Sequence, residues 1–387
     1  MTSEPFKVHV SDEDLADLQS RLEKTRLADD FANDDWSYGT NGDYLRELLD
    51  YWINDFDWRA QEDQINELPN FRTTIEGMPI HYLHQKGKGP HPIPLIMSHG
   101  WPWTFWDLKK VIGPLTDPAA YGGDPVDAFD VVVPSLPGFG FSVPLRTTGI
   151  NYWRTADLWE KLMRDELGYD KFAAQGADWG ALVTTQLGHK YADSLIGLHL
   201  HYVLPLKIVD IQWPGPDEYS KDEAHWYAEN VRHDLEGSAY VAIQTTRPQT
   251  LTWAMNDSPI GLCAWMLEKR REWSDCGGEV ERRFTKDELL TATMIYWIGQ
   301  SFGTSARFYS EGQRNPWRPS HDLTPQVQVP TGIAVFPKDI YKMPRAYCEQ
   351  MFNLKRWMVM PEGGHFGSME EPELLVAEIR AFFRELR

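Results

Sequence analysis

The chain has 387 residues, of which 42% are hydrophobic and 25% charged, the balance of a globular protein with ample material for a core. A formal net charge of -19 makes nucleic acid and anionic membranes unsuitable partners, because the protein surface would repel them. The three cysteines, Cys263, Cys276 and Cys348, are too few and too far apart for a disulfide framework or a zinc site, and they favour a reducing, cytoplasmic location.

The N-terminal ten residues are polar and lack the apolar segment of a signal peptide. No later stretch approaches the roughly 18 consecutive apolar residues that a membrane span requires. We therefore expect a soluble protein without a membrane anchor. The sequence contains no motif that indicates a cofactor or a metal, and it leaves a homo-oligomer open.

Residues 1–70 have the pattern of a helical extension. Ser11 stands before an acidic turn and before apolar residues at helical spacing, Leu15, Leu18 and Leu22. A second helix with one apolar stripe is predicted from about Gly42. Because each helix has a single apolar face, we expect both to pack on a larger body.

The next segment, residues 71–204, alternates short apolar runs with helical patterns. A hairpin is predicted over residues 71–84, and further strands are predicted at 93–97, 129–133, 172–174 and 195–200. Helical patterns at 155–167 and 181–191 separate the later strands. This alternation is typical of a mostly parallel α/β sheet.

The alternation stops at about Pro205. Residues 205–320 are rich in tryptophan and in helical patterns, whereas residues 321–387 contain two more strands, at 332–336 and 356–359, and a final helix at 372–386. The sequence therefore predicts an eight-stranded sheet in two parts, interrupted by a helical lid at residues 205–320. Ligand sites of open parallel sheets lie at the carboxyl ends of the strands, where such an insertion would cover them.

The segment Gly176-Ala177-Asp178-Trp179-Gly180 stands between a predicted strand and a predicted helix. Its pattern is that of a nucleophile elbow, G-x-S-x-G, with aspartate in the place of serine. The chain has no G-x-S-x-G sequence, so a serine esterase would lack its nucleophile. A carboxylate is ionised at neutral pH and can displace a leaving group from saturated carbon, which leaves an alkyl ester on the enzyme. The candidate substrates are therefore epoxides and alkyl halides.

A histidine and an acid follow the last two predicted strands. His365 comes after two glycines beyond the last strand, and Asp339 comes after the strand before it. In that position Asp339 would orient the imidazole, which would act as the general base. Asp275 and Asp322 are the nearest alternative acids, but neither follows a clear strand. The order Asp178, Asp339, His365 is that of nucleophile, acid and histidine in proteins with this elbow.

The segment His99-Gly100-Trp101-Pro102 follows a predicted strand and resembles the His-Gly-x-Pro loop of epoxide hydrolases and haloalkane dehalogenases, which have the α/β-hydrolase fold. The resemblance implies that the backbone N–H groups of Trp101 and Trp179 form an oxyanion hole for ester hydrolysis. It also implies a cis peptide bond before Pro102.

Motifs along nearly the whole chain are most similar to the microsomal and juvenile-hormone epoxide hydrolases. The segments 36–39 and 56–59 resemble parts of the N-terminal domain of that branch, which wraps the catalytic domain. Residues 133–142, 330–332 and 366–372 also match. Some members of the branch have glutamate where this chain has Asp339. Its membrane-bound members carry an N-terminal anchor, whereas this chain begins directly in the N-terminal domain, which predicts a form without the anchor.

The resemblance also indicates the leaving group. The lid of the family supplies two tyrosines that donate hydrogen bonds to the epoxide oxygen, and the segments around Tyr240 and Tyr309 resemble those that carry them. A haloalkane dehalogenase, with tryptophan or asparagine donors in the lid, stays the alternative enzyme. A non-catalytic binding protein of the same fold is the alternative from another class. The aromatic lid favours a bulky apolar or aryl epoxide as the small-molecule partner.

Overall fold

A nine-stranded sheet runs through the computed structural model, which describes residues 3–208 and 213–387. In chain order the strands are β1 Glu4–Pro5, β2 Asn70–Ile75, β3 Met78–Gln85, β4 Ile93–Ser98, β5 Phe129–Pro134, β6 Phe172–Gly176, β7 Leu195–Leu200, β8 Val327–Val335 and β9 Phe352–Val359. Across the sheet they are ordered β1-β2-β3-β5-β4-β6-β7-β8-β9. All neighbours from β5 to β9 are parallel, which confirms the mostly parallel α/β sheet.

The prediction of eight strands is wrong by one. The additional strand, β1, lies at the sheet edge, where Glu4 pairs with Arg72 and Pro5 with Phe71 in antiparallel register. A strand of two residues has no alternation that a sequence could reveal. The extension therefore contributes to the sheet as well as to the helices.

Three helices of the N-terminal extension lie between β1 and β2: α1 Asp12–Glu23, α2 Gly42–Asn54 and α3 Trp58–Glu67. The hydroxyl of Ser11 accepts a hydrogen bond from the Asp14 N–H, and the Asn41 side chain caps α2 in the same way. These caps satisfy backbone donors that a helix leaves free at its first turn. Both predicted helix starts are confirmed, whereas the sequence pattern did not predict α3.

Helices α4 Lys109–Thr116, α5 Tyr152–Lys161 and α6 Trp179–Lys190 connect the parallel strands of the first part of the sheet. Helix α6 is buried along almost its whole length, because it packs on the central strands and on α5. A turn of only two residues, Ala177 and Asp178, separates β6 from α6. The turn therefore lies at the carboxyl end of a central strand.

Within the described part of the chain, the lid consists of six helices between β7 and β8. They are α7 Ala224–Glu236, α8 Ala239–Thr246, α9 Pro248–Asp257, α10 Pro259–Glu272, α11 Lys286–Ile298 and α12 Phe302–Arg314. Helices α8 and α9 pack on α12, and α10 packs on α11. From the other side, α1 contacts α10 and α2 contacts α11, so the N-terminal extension supports the lid.

The chain then returns to the sheet through β8 and β9 and adds three helices, α13 Arg345–Met351, α14 Gly367–Glu370 and α15 Pro372–Arg384. One continuous hydrophobic core joins the sheet, its flanking helices and the lid. Among residues 3–208 and 213–387, no helix is both long enough and apolar enough to span a bilayer.

Candidate active site

Asp178 lies at the sharp turn between β6 and α6, with backbone angles φ +51° and ψ -128°. Such a left-handed conformation is uncommon for a residue with a side chain, and it is stored strain of the kind found at functional sites. The glycines around it permit the turn: a Cβ on Gly180 would collide with the carbonyl oxygen of Ser98, and one on Gly176 with that of Gly180. The turn therefore holds the Asp178 carboxylate above the sheet.

The loop after β4 meets the carboxylate from the other side. The backbone N–H of Trp101 donates a hydrogen bond of 2.7 Å to Asp178 Oδ1, and the bond between Trp101 and Pro102 is cis. A side chain at Gly100 would collide with the carboxylate. His99 is fully buried, and its Nε2 accepts a hydrogen bond of 3.0 Å from the Leu136 N–H. His99 thus fixes the loop.

Trp179, the second predicted oxyanion donor, is the first residue of α6. Backbone N–H groups at this position have no acceptor within the helix and are free to bind an anion. The N–H groups of Trp101 and Trp179 therefore belong to the two segments that flank the Asp178 carboxylate.

His365 lies in the loop after β9, and its ring is enclosed by protein. Its Nδ1 is 2.7 Å from Asp339 Oδ1, and its Nε2 is 3.6 Å from Asp178 Oδ2. A parallel bridge between Lys338 and Gly364 brings the loops after β8 and β9 together. The alternative acid Asp275 bonds to the backbone N–H of Gly363 and not to the imidazole. The three predicted side chains are thus in contact.

The imidazole of His365 is strongly affected by its two acidic neighbours. Burial alone lowers the His365 pKa, but the Asp339 and Asp178 carboxylates favour the charged ring, and together they raise the pKa to about 9. The ring of His365 therefore carries a proton at neutral pH.

Tyr240 on α8 and Tyr309 on α12 face each other above Asp178. Their ring centroids are 6.0 Å apart, and both rings pack on Trp101. Burial raises the pKa of both phenols well above 10, and the nearby Asp178 charge acts in the same direction. Both phenols therefore remain protonated and able to donate hydrogen bonds across the physiological pH range.

A cavity of about 530 Å³ lies between these groups and the lid. It is lined by Asp178, Trp179, Leu182, Tyr202, Leu204, Ile208, Trp213, Asp234, Ser238, Tyr240, Val241, Ala242, Thr245, Thr246, Tyr309, Gln313 and Tyr341. The volume is that of a pocket for a small organic molecule. The Asp178 carboxylate and the phenols of Tyr240 and Tyr309 therefore line the same cavity.

The sequence analysis missed two residues around the triad. Tyr202 lines the cavity, and its ring centroid is 5.2 Å from that of His365. Because Tyr202 follows β7, its place at a strand end could have revealed it. Glu370, on α14, accepts hydrogen bonds from backbone groups on both sides of His365. Nothing local in its sequence indicates those partners.

Comparisons with known proteins show the family of the chain. The family model described as "Epoxide hydrolase N terminus" matches residues 3–108, and the one described as "alpha/beta hydrolase fold" matches residues 93–256. Epoxide hydrolase 1 of Oryctolagus cuniculus is 38% identical over 402 aligned positions, which cover 98% of this chain and 88% of that protein.

Two solved structures are similar over the full length. The structure of Aspergillus niger epoxide hydrolase has a TM-score of 0.86 at 27% identity, covering 100% of this chain and 97% of that chain. The juvenile hormone epoxide hydrolase of the silkworm Bombyx mori has a TM-score of 0.87 at 28% identity, covering 100% and 95%. The chain therefore belongs to the epoxide hydrolase family and has the α/β-hydrolase fold.

Proposed function

We propose that this protein converts an epoxide and water to a vicinal diol through an alkyl ester on Asp178. The observation that carries the proposal is the position of the Asp178 carboxylate. It is held at the elbow by the Trp101 N–H and faces a cavity that contains two protonated phenols. A carboxylate attacks saturated carbon, and an epoxide supplies such a carbon together with an oxygen that needs hydrogen-bond donors.

In the first half-reaction an Asp178 oxygen attacks one epoxide carbon, and the bond from that carbon to the epoxide oxygen breaks. Negative charge develops on the departing oxygen. Tyr240 and Tyr309 donate hydrogen bonds to it, and these strengthen as the charge grows. The oxygen takes up the proton of one of these phenols, and the resting His365 cation replaces that proton only after the ester has formed, so the attack itself does not depend on His365. The products of this step are the ester, a neighbouring hydroxyl and a neutral imidazole.

In the second half-reaction water cleaves the ester. The Asp178 ester carries no charge, so one of the two carboxylates that raise the His365 pKa no longer acts on the ring. The neutral imidazole, oriented by Asp339, takes a proton from water while the oxygen of that water bonds to the ester carbonyl carbon. The N–H groups of Trp101 and Trp179 stabilise the oxyanion. Collapse releases the diol and restores the carboxylate and the imidazolium.

The donors in the lid favour an epoxide over an alkyl halide. A halide leaves without a proton, whereas an alkoxide is a poor leaving group that needs strong donors. Two buried phenols on facing helices meet that need. The aromatic and aliphatic lining of the cavity, with Trp179, Tyr202 and Leu182, suits a bulky apolar or aryl epoxide.

The test of the covalent ester is a single turnover in ¹⁸O-labelled water with enzyme in excess over styrene oxide. We expect the first diol to carry an unlabelled oxygen from the enzyme, and the label to appear in the peptide that contains Asp178. His365→Gln is expected to accumulate the ester, visible as protein plus one substrate mass. Asp178→Asn is the control without ester. Diol labelled wholly from solvent in the first turnover would contradict the proposal.

A further inference from the structure

The loop that carries His365 is bonded through every backbone N–H from residue 363 to residue 366. The acceptors are Asp275 Oδ2 for Gly363 at 3.0 Å, Glu370 Oε2 for Gly364 at 3.0 Å, the Trp273 carbonyl for His365 at 2.8 Å and Glu370 Oε1 for Phe366 at 2.8 Å. Buried backbone N–H groups need acceptors, and four consecutive ones around His365 find theirs in only three residues. The position of the imidazole is therefore determined by a small set of acceptors.

One carboxylate supplies two of these acceptors and also binds the lid. Besides the N–H groups of Gly364 and Phe366, the Glu370 carboxylate accepts a hydrogen bond of 2.6 Å from the Asp275 N–H. The segment 273–275, which follows α10, is thereby joined to the histidine loop. The two backbones are in direct contact, because a Cβ on Gly364 would lie 2.6 Å from the Trp273 carbonyl oxygen.

We propose that Glu370 is a positioning residue that fixes the His365 imidazole for ester hydrolysis by binding the loop on both sides of it and tying that loop to the lid. The inference rests on the proposed function, since it requires His365 to act on an ester at Asp178. Glu370 itself acts only through the loop. It should therefore matter for the water-dependent step and little for the attack by Asp178.

The ionised form of Glu370 suits this role, because all three of its partners are N–H donors. Burial raises the Glu370 pKa to about 7, while the three backbone donors and the Arg283 charge act in the opposite direction. The other charged groups around the carboxylate are Asp275, Glu362 and Glu371, which surround Arg283. A glutamine at this position would keep the shape of the side chain but turn an NH₂ group toward N–H donors.

The experiment compares two buried glutamates in single-turnover kinetics with styrene oxide. For Glu370→Gln we expect alkylation near the wild-type rate and hydrolysis of the ester about 10²-fold slower, as for a catalytic group displaced by about 1 Å. Intact-mass spectrometry should show the accumulated ester. Glu378→Gln is the matched control, because Glu378 on α15 is similarly buried but pairs with Arg356 on β9. This control should lower stability without accumulating ester.

The outcomes separate the two proposals. An ester that accumulates in His365→Gln but not in Glu370→Gln would overturn the role of Glu370, and an ester absent from both would contradict the proposed function. Should Glu370→Gln fail to fold, Glu370→Asp carries the test, because it keeps the charge but shortens the side chain, so that one carboxylate no longer reaches the N–H groups of both Gly364 and Phe366. We expect this variant to slow hydrolysis selectively, and a wild-type ratio of the two rates would overturn the inference.

Discussion

The proton of His365 is present in one half of the proposed cycle and absent in the other. In the resting site two carboxylates hold the imidazole pKa at about 9, although burial opposes them. A protonated ring cannot accept a proton from water. Ester formation neutralises Asp178 and leaves only Asp339 beside the ring. In the proposed cycle, the charge of the nucleophile would thus control when the base becomes available.

Replacing Asp178 by asparagine should reproduce the charge of the ester without any substrate. We expect the His365 pKa in Asp178→Asn to fall below the value of about 9, because an anion next to the ring is lost. The measurement is an NMR titration of the ring carbon and nitrogen signals in protein with labelled histidine. Asp234→Asn, at the exposed side of the cavity, should leave the titration unchanged. A His365 pKa that stays at about 9 in Asp178→Asn would contradict this mechanism.

The hydroxyl groups of Tyr240 and Tyr309 should affect only the alkylation step. Loss of one such donor typically slows the reaction by about 10²–10³-fold. We expect Tyr240→Phe and Tyr309→Phe each to slow alkylation in this range, and the double variant to be nearly inactive but folded. Quenching of tryptophan fluorescence in a stopped-flow instrument would follow the step. Tyr341→Phe is the control, since Tyr341 lines the same cavity but bonds Asp234. Alkylation by the double variant at the wild-type rate would remove the main support for an epoxide.

At the scale of elements, the sequence predicted best what local patterns determine. The bounds predicted for β7 are those of the structure, and the cap of α1 and the apolar stripe of α2 marked the starts of these helices. Predicted helix types were wrong where the backbone departs from the regular α-helical hydrogen-bond pattern. The helix predicted at 155–167 is α-helical only to Lys161 and continues as a π-helical turn, Leu162–Glu166, because hydrophobic spacing does not distinguish the two hydrogen-bond patterns.

The residues of the site also differ in how well local sequence patterns predict them. Asp178, Asp339 and His365 follow strands, and the ends of parallel strands meet at one edge of a sheet, so their proximity could be predicted. Tyr240 and Tyr309 were identified only by resemblance, because a helical sequence does not show which residue faces a cavity. Glu370 binds backbone groups about 95 residues away in the chain, at Asp275, and no local pattern encodes such a contact.

A buried ion pair links the lid to the loop that follows β4. Arg270 near the end of α10 pairs with Asp107, donates to the Pro102 carbonyl at 3.3 Å and lies 4.2 Å from the Phe366 ring centroid. Both charged side chains are almost fully buried. Arg270→Met would leave the Asp107 charge without its partner, at a cost of about 3–5 kcal/mol.

Urea unfolding of Arg270→Met should therefore show this loss of stability. In the double variant Arg270→Met with Asp107→Asn, we expect part of the loss to be recovered, because no unpaired charge remains and the asparagine oxygen can still accept the Thr104 N–H. Equal losses in the single and double variants would mean that packing of the guanidinium on Phe366, and not the ion pair, provides the stability.

At the scale of the whole molecule, charge favours neutral or cationic substrates. Two carboxylates, Asp178 and Asp234, line the cavity, and the lining found among residues 3–208 and 213–387 includes no lysine or arginine. The chain as a whole carries a formal charge of -19. Both the local and the overall field therefore repel anions as they approach.

We expect kcat/KM to be lower for an epoxide with a free carboxylate than for its methyl ester, and the difference to shrink as ionic strength rises. The pair of 9,10-epoxystearic acid and its methyl ester, kept below micelle-forming concentrations, provides the comparison. Asp234→Asn should also reduce the difference, whereas Glu349→Gln on α13, a surface residue paired with Arg345, should not. Equal kcat/KM for acid and ester at low salt would contradict this prediction.

The contacts of the N-terminal extension hold the lid on its outer side. From outside, the Thr40 hydroxyl donates to the Ala264 carbonyl at 2.7 Å, and Glu47 pairs with Lys286 at 2.5 Å. On the inner side of the lid, the segment 273–275 is hydrogen-bonded to Glu370 and to the loop that carries His365. A rigid-body movement of the lid away from the sheet would have to break both sets of contacts. We therefore expect reactants to enter without such a movement of the lid, so that the fixed volume of about 530 Å³ limits the size of the epoxide.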